Sequence, residues 1–165
     1  MKTADQTNPD LRKLCELIKD MSIGMLTSTN THNALVSRPM SVLEMDNEGA
    51  LWFFTDKNSE KIHSLNNMNL SFSEEGSGTY VSMSGRGELS IDAERIKRLW
   101  TMFAKPWFPE GSDSTNLVLL KFLPNTAEYW DAPNSKMVRM FAMAASITAG
   151  RPIGLGEHDT LTNLA

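Results

Sequence analysis

The sequence is poor in the features that define several large classes of protein. It contains one cysteine, Cys15, so no internal disulfide framework can form, which predicts a reducing, cytoplasmic environment. No apolar run is long enough to cross a bilayer. Residues 1–10 are polar and lack the hydrophobic centre of a signal peptide. We therefore expect no membrane partner.

Positive charge is also in short supply. The 165 residues include 16 Lys and Arg against 20 Asp and Glu, a formal net charge of -4. A dedicated nucleic-acid-binding protein needs a surplus of basic residues for its phosphate contacts. We therefore expect no nucleic-acid partner, and any anion site must be a local pocket rather than a basic face.

Reactive side chains are too scattered to indicate a catalytic or metal site. The three histidines, His32, His63 and His158, are not at ligand spacing from one another or from Cys15. No Ser-His-Asp or Cys-His set stands out. We assign no catalytic residue and no metal ligand, so any redox chemistry would belong to a bound cofactor.

The hydrophobic pattern predicts short strands with a few helices between them. Asn8-Pro9-Asp10 indicates a helix start, with a cap residue, a proline and an acid in order. Further helices are predicted at 92–100 and 135–149, and strands at 23–29, 34–45, 50–55, 69–73, 79–91, 116–123 and 126–131, the last two forming a hairpin around Pro124-Asn125. This favours a mainly β protein of about six or seven antiparallel strands with flanking helices, closed into a barrel or a partly open barrel. We expect one domain over residues 1–150, ending in the C-terminal helix, and a flexible tail over 151–165.

The segment from Phe54 to Lys61 predicts an anion site. It passes from the end of an apolar strand through a polar turn into a short helix, whose first N–H groups lack partners. We expect Ser59 to cap this helix and Lys61 to reach the same anion, with Arg38 from the preceding strand as a second cation. A phosphate monoester fits such a site. The alternative is that Arg38 and Lys61 are ordinary solvated charges.

Pro39 is unusual inside a predicted strand, because it has no N–H to donate to a neighbouring strand. It predicts an edge or a bulge beside Arg38. Gly85 and Gly87 likewise indicate a close approach of a ligand or of another backbone.

Three segments together resemble a known family: Ser37-Arg38-Pro39-Met40, Trp52-Phe53-Phe54-Thr55 with Ser59 and Lys61, and Tyr80-Val81-Ser82-Met83-Ser84-Gly85. Their order and spacing resemble the pyridoxamine 5'-phosphate oxidase-like flavin-binding split barrels, and most of all the bacterial general stress proteins among them. The resemblance covers roughly residues 11–131. It implies a split β-barrel homodimer with two flavin sites at the subunit interface.

The resemblance also implies roles for particular residues. The FMN phosphate would be held by Arg38, Thr55, Ser59 and Lys61, and the flavin ring would lie near Pro39, Met40 and Phe54. A late loop of the other subunit would close the site, with Trp107 and Phe108 as the matching residues and Trp130 as a further candidate. FMN is the expected cofactor, and FAD could occupy the same phosphate clamp.

The sequence departs from the true oxidase, since the full set of residues that holds pyridoxal phosphate is missing, and amine-oxidase activity is not expected. Three hypotheses remain. We rank first a flavin-binding general stress protein without turnover, second a flavin-dependent oxidoreductase acting on a small substrate, and third a haem-binding relative on the same barrel. Reduction of the bound flavin by NADPH would separate the first two.

Overall fold

A computed structural model describes residues 1–132 and 136–164 of the chain. The elements are, in order, β1 (Lys2–Thr3), α1 (Pro9–Ile18), β2 (Ile23–Thr29), β3 (Leu35–Ser41), β4 (Glu44–Met45), β5 (Leu51–Asp56), β6 (Met68–Glu74), β7 (Thr79–Ser90), α2 (Ala93–Leu99), β8 (Leu117–Asp131), α3 (Lys136–Ala149) and β9 (Glu157–Leu161). Short 3-10 helices cover Glu60–His63, Met102–Ala104 and Gly111–Asp113. No helix in these ranges is long and apolar enough to cross a membrane.

The first helix forms where its cap signal predicts. The Asn8 side-chain oxygen accepts hydrogen bonds from the backbone N–H groups of Asp10 and Leu11, at 2.8 and 3.4 Å. Leu11, Leu14 and Ile18 then form the buried face of α1. That face closes one side of the main core, as the apolar spacing predicts.

The strands form one sheet in the order β1-β4-β5-β8-β7-β6-β2-β3, with β9 added on β8. All neighbours are antiparallel except β1 and β4. The chain leaving β3 changes partner, since Val42 N–H donates to Ser22 O and Leu43 N–H donates to Trp52 O, both at 2.9 Å. This crossing brings the β3 end of the sheet round to β5 and gives a split barrel, and the predicted fold class is confirmed.

Two strand boundaries differ from the prediction. The predicted strand 34–45 is divided into β3 and β4 by the crossing at Val42. The predicted hairpin around Pro124 is wrong, because β8 runs unbroken through it. Pro124 lies opposite Gly85 where the register shifts, so the irregularity accommodates a residue without an N–H. A Cβ on Gly85 would lie 2.2 Å from Leu123 O, which is the close backbone approach that this glycine predicts.

The expectation of a flexible tail is wrong for residues 157–161. They form β9, which pairs antiparallel with β8, and Leu161 and Leu164 are 7% and 2% exposed. The polar composition of this strand hid it, because an edge strand with exposed side chains lacks a strong apolar alternation. Ser135, the predicted first residue of the last helix, and Ala165 lie outside the described residues.

Two apolar clusters lie on opposite faces of β5, because successive strand residues point in opposite directions. Leu51 and Phe53 belong to the main core inside the barrel. Trp52 belongs to a second cluster beneath α2, with Phe54 packed against it. The second cluster contains Trp52, Ile96, Leu99, Phe108, Leu117 and Leu119. The polar connection that follows β5 therefore starts between two packed layers.

Candidate functional site

The first cation of the candidate site lies on β3, at the edge of the split. Arg38 pairs in register with Leu26, and its Nη1 donates a hydrogen bond to Ser28 Oγ at 3.0 Å. Ser28 is 1% exposed, so this bond fixes the guanidinium against the wall of the barrel. Met40 is two residues further along the same face of β3 and is buried in the main core.

Pro39 lies on the opposite face of β3 from Arg38. It pairs with Met25 without a register shift, so the strand carries no bulge there. β3 is the last strand in the order of the sheet, and a residue without an N–H is tolerated on such an edge strand. The sequence predicted either an edge strand or a bulge at Pro39, and the structure shows an edge strand.

The second cation comes from the connection after β5. Lys61 Nζ donates to Ser59 Oγ at 3.1 Å, within the 3-10 helix Glu60–His63. Burial lowers the pKa of Lys61, the positive charge of Arg38 lowers it further, and Asp56 acts in the opposite direction. The two cations are therefore close enough to repel each other.

Neither cation is neutralised by an ion pair. Within the described ranges, Arg38 and Lys61 form no salt bridge with a carboxylate, although each is partly buried. Thr55, one residue from the end of β5, is 2% exposed, and its Oγ1 has no hydrogen-bond partner there. A buried hydroxyl without a partner and two partly buried cations without a carboxylate at salt-bridge distance are costly arrangements. An anion with several acceptor oxygens would satisfy the two cations.

The predicted role of Ser59 as a helix cap is wrong. Ser59 occupies the cap position, but its side chain makes no cap hydrogen bond. The helix is a single 3-10 turn of four residues, and the Ser59 hydroxyl accepts from Lys61 instead. Such a short helix has little dipole to offer, so the side chains, and not the helix terminus, give this site its positive charge.

Three hydroxyl residues that the sequence did not single out complete the surroundings. Ser28 holds Arg38, and the hydroxyls of Thr29 and Ser64 are hydrogen-bonded to each other. The second bond ties the end of β2 to the residue after the 3-10 helix. The strand register would have identified Ser28, because Ser28 is a diagonal neighbour of Arg38 on the same face of the β2–β3 pair.

The predicted aromatic residues lie away from the cations. Phe54 packs against Trp100 and Phe108, with ring centroids 5.8 and 6.4 Å apart. Phe108 is 7% exposed inside the second cluster of its own chain, so little of its ring is open on the surface, and its role at a partner's site stays a prediction. Trp107, its neighbour, is 75% exposed and free on the surface of this chain.

Trp130, the further aromatic candidate, lies on the outer face of the sheet. It is 41% exposed and stacks on His158 of β9 with ring centroids 4.8 Å apart. Of the predicted residues, the structure thus brings Arg38, Ser59 and Lys61 together. Thr55 is buried near the end of β5, and the aromatic residues lie in three other environments.

The fold and the candidate site together define a split antiparallel β-barrel that carries two partly buried cations and several hydroxyl groups where β3 and the connection after β5 approach each other. The sequence matches the family model described as pyridoxamine 5'-phosphate oxidase like over residues 9–153, and the chain belongs to this family. No curated protein matches the sequence.

Solved structures agree with this assignment. A protein assigned as general stress protein 26 from Jannaschia sp. CCS1 is 25% identical with a TM-score of 0.73, covering 92% of this chain and 96% of that one. A general stress FMN/FAD binding protein from Xanthomonas citri is 26% identical with a TM-score of 0.63, covering 73% and 87%. General stress protein 26 from Bacillus anthracis str. Sterne shares the fold at 21% identity and a TM-score of 0.64, covering 72% and 92%. The predicted resemblance is confirmed.

Proposed function

We propose that this chain is a flavin-binding general stress protein that holds FMN through its phosphate. The observation that best supports this proposal is the pair Arg38 and Lys61. Both cations are partly buried, and neither forms a salt bridge with a carboxylate of the described chain. The phosphate of FMN supplies negative charge and several acceptor oxygens. The similarity to a protein described as FMN/FAD binding supports the same ligand class.

The residues present fit this ligand at its phosphate end. Arg38 can donate from its remaining N–H groups while Ser28 holds one of them, and Lys61 has two further donors beyond its bond to Ser59. FAD carries the same phosphate group within its diphosphate, so the clamp itself accepts either flavin.

We further propose a cytoplasmic homodimer with the flavin at the subunit interface. The outer face of the sheet supports this, because Ile23 and Met25 on β2 are 61% and 41% exposed, and Tyr80 on β7 and Trp130 on β8 are 45% and 41% exposed. Large apolar patches on a soluble protein mark interaction surfaces. In a homodimer, Trp107 of one subunit is an available aromatic side chain for the site of the other.

A bound flavin would supply hydride and electron transfer, while the chain binds it, orients it and excludes water. The second candidate function, a flavin-dependent oxidoreductase acting on a small substrate, differs only in turnover. The hydrogen bonds of the described site join the two cations to hydroxyl groups, and no carboxylate or histidine takes part in them, so a binding role is the better supported of the two.

The test is flavin retention by the purified protein. After incubation with FMN and removal of the excess, we expect a two-banded flavin spectrum at about one flavin per chain, and much weaker retention of riboflavin, which lacks the phosphate. A colourless protein, or equal retention of the two flavins, would contradict the proposed phosphate clamp. Anaerobic NADPH then distinguishes the functions, because bleaching of the bound flavin indicates an oxidoreductase.

A further inference from the structure

The helix α3 presents an apolar stripe that its own chain leaves uncovered. Met140, Met143 and Ile147 are 65%, 52% and 75% exposed. Their spacing of three and four residues places them on one face of the helix. No strand or other helix in the described part of the chain packs extensively on α3. A helix of 14 residues is only marginally stable alone in water, so this face needs a partner surface.

The segment is nevertheless fixed at its base. It leaves the sheet from β8 and returns to it through β9, whose Leu161 is buried in the main core. Within the segment, Ile153 N–H donates to Ser146 Oγ at 2.9 Å, which ties the returning chain to α3. We call residues 136–156 the α3 arm. The arm is a defined projection from the sheet, and not a loose terminus.

Charge distinguishes the arm from the rest of the chain. Residues 136–156 contain three basic and no acidic residues. The remainder keeps 13 of the 16 Lys and Arg and all 20 Asp and Glu, a net charge of -7. A second copy of this chain therefore offers the arm a surface of opposite charge.

The base of the arm also adjoins the exposed outer face of the sheet. Trp130 lies one residue before the end of β8, and its stacking partner His158 is the second residue of β9. The exposed aromatic pair of the sheet thus lies where the chain enters and leaves the arm, and both the pair and the α3 stripe are exposed. A twofold axis can cover both at once, because an isologous interface uses the same surfaces twice.

We propose that the α3 arm packs onto a second copy of this chain and stabilises the dimer through Met140, Met143 and Ile147. This proposal rests on the homodimer proposed above. It adds that the arm, and not the sheet face alone, holds the two subunits together. Because the arm contacts little of its own barrel, its removal weakens association while each barrel stays folded.

The test compares two variants of equal chemistry on opposite faces of α3. The double variant Met143→Glu/Ile147→Glu places charge in the stripe, and Ala145→Glu places it on an exposed position of the opposite face. We expect the dimer dissociation constant, from sedimentation equilibrium, to rise roughly hundredfold for the double variant and to stay unchanged for Ala145→Glu. Met143→Ala/Ile147→Ala, which keeps helix propensity high, should weaken the dimer in the same direction.

Three results would overturn the proposal. The first is a wild-type protein that is monomeric at every concentration, and the second is a stripe variant with the wild-type dissociation constant. The third is a monomer that sediments with vesicles of phosphatidylcholine and phosphatidylglycerol and loses this binding in the stripe variant, which assigns the stripe to a lipid surface. The flavin spectrum of the same samples keeps the two proposals separate. A dimer without flavin contradicts only the flavin site. A flavin-binding monomer contradicts the proposed homodimer together with the arm and leaves the phosphate clamp standing, and a dimer that the stripe variants leave intact contradicts only the arm.

Discussion

Two groups of charged side chains flank β5, and they are built in opposite ways. On the side of α2, both arginines face carboxylates. Arg98 makes a bidentate pair with Glu44, at 2.8 and 3.0 Å, and Arg95 lies 3.5 Å from an Asp46 carboxylate oxygen. On the side of the split, Arg38 and Lys61 donate to hydroxyl groups, and neither forms a salt bridge with a carboxylate of the described ranges.

The neutralised group has the marks of a structural network. Asp46 is 6% exposed and accepts hydrogen bonds from the Trp52 indole N–H at 2.7 Å and from two backbone N–H groups of its own turn. The Arg95 guanidinium lies 3.9 Å from the centre of the Trp52 ring. These contacts bind α2 to β4 and β5. Burial of charge alone therefore does not indicate a site, whereas partly buried cations without a salt bridge mark a candidate one.

The largest expected effect comes from removing the charges of Arg38 and Lys61. Arg38→Met/Lys61→Met keeps both aliphatic stems, and we expect FMN to bind about a thousandfold more weakly, since hydrogen bonds to charged groups contribute about 2 kcal/mol each. Riboflavin affinity should stay the same, because it has no phosphate. The free energy of unfolding without ligand should fall by about 1–3 kcal/mol, because the buried Ser28 hydroxyl loses its hydrogen-bond partner.

The matched control is Lys57→Met, which removes an exposed lysine from the same connection. We expect it to change neither flavin. Calorimetric titration with FMN and riboflavin measures both affinities. An equal loss of affinity for the two flavins would mean that the variant damages the barrel instead of a phosphate clamp. Arg38 and Lys61 would then not differ in function from the paired arginines of α2.

The neutralised group should respond in the opposite way. Asp46→Ala leaves the Trp52 indole N–H and the Arg95 guanidinium without their buried partner, so we expect a loss of about 3 kcal/mol in the free energy of unfolding. FMN affinity below the unfolding temperature should change by less than about twofold, because the network lies on the other side of β5. Urea unfolding and FMN titration of the same protein measure the two quantities.

Glu48→Ala serves as the control for this variant. Glu48 pairs with Lys121 at 3.2 Å, but its side chain is 69% exposed, so its removal should cost less than about 1 kcal/mol. If Asp46→Ala costs no more than Glu48→Ala, the buried network is not a structural one.

The sequence alone predicted the two cations of the candidate site but not the hydroxyl residues that surround them. Arg38, Ser59 and Lys61 follow from a strand, a turn and short-range spacing, which are local properties of the chain. Ser28 and Thr29 depend on the register between strands and on contact with the 3-10 helix, which no local pattern encodes.

The features that the sequence missed have the same origin. An apolar loop residue such as Phe108 looks the same in the sequence whether it packs on its own chain or on a partner. Only the tertiary structure shows that Phe108 packs against Phe54. Pro124 is a turn signal in most contexts, and only pairing with Gly85 keeps it inside β8. The barrel was predictable because alternation and turn residues repeat along the whole chain, whereas these details depend on single long-range contacts.

The smallest expected effect is a dependence of FMN affinity on pH. The pKa of Lys61 is lowered by burial and by Arg38, so this side chain loses its proton at a lower pH than an exposed lysine does. Only the protonated form attracts the phosphate, and FMN affinity should therefore fall a few-fold as the pH rises through this lowered pKa. A bound phosphate in turn favours the protonated lysine, so FMN binding in this pH range takes up protons.

Titration calorimetry in two buffers of different ionisation enthalpy measures this proton uptake directly. Lys61→Met should abolish the uptake, and Lys61→Arg, which keeps its charge throughout, should bind FMN with an affinity that no longer falls. Riboflavin corrects for the ionisation of the flavin ring, which both ligands share. The paired arginines offer a contrast within the same chain, because Glu44 raises the pKa of Arg98 and keeps it charged. If FMN affinity and riboflavin affinity change with pH in parallel, Lys61 is neutralised by something other than the phosphate.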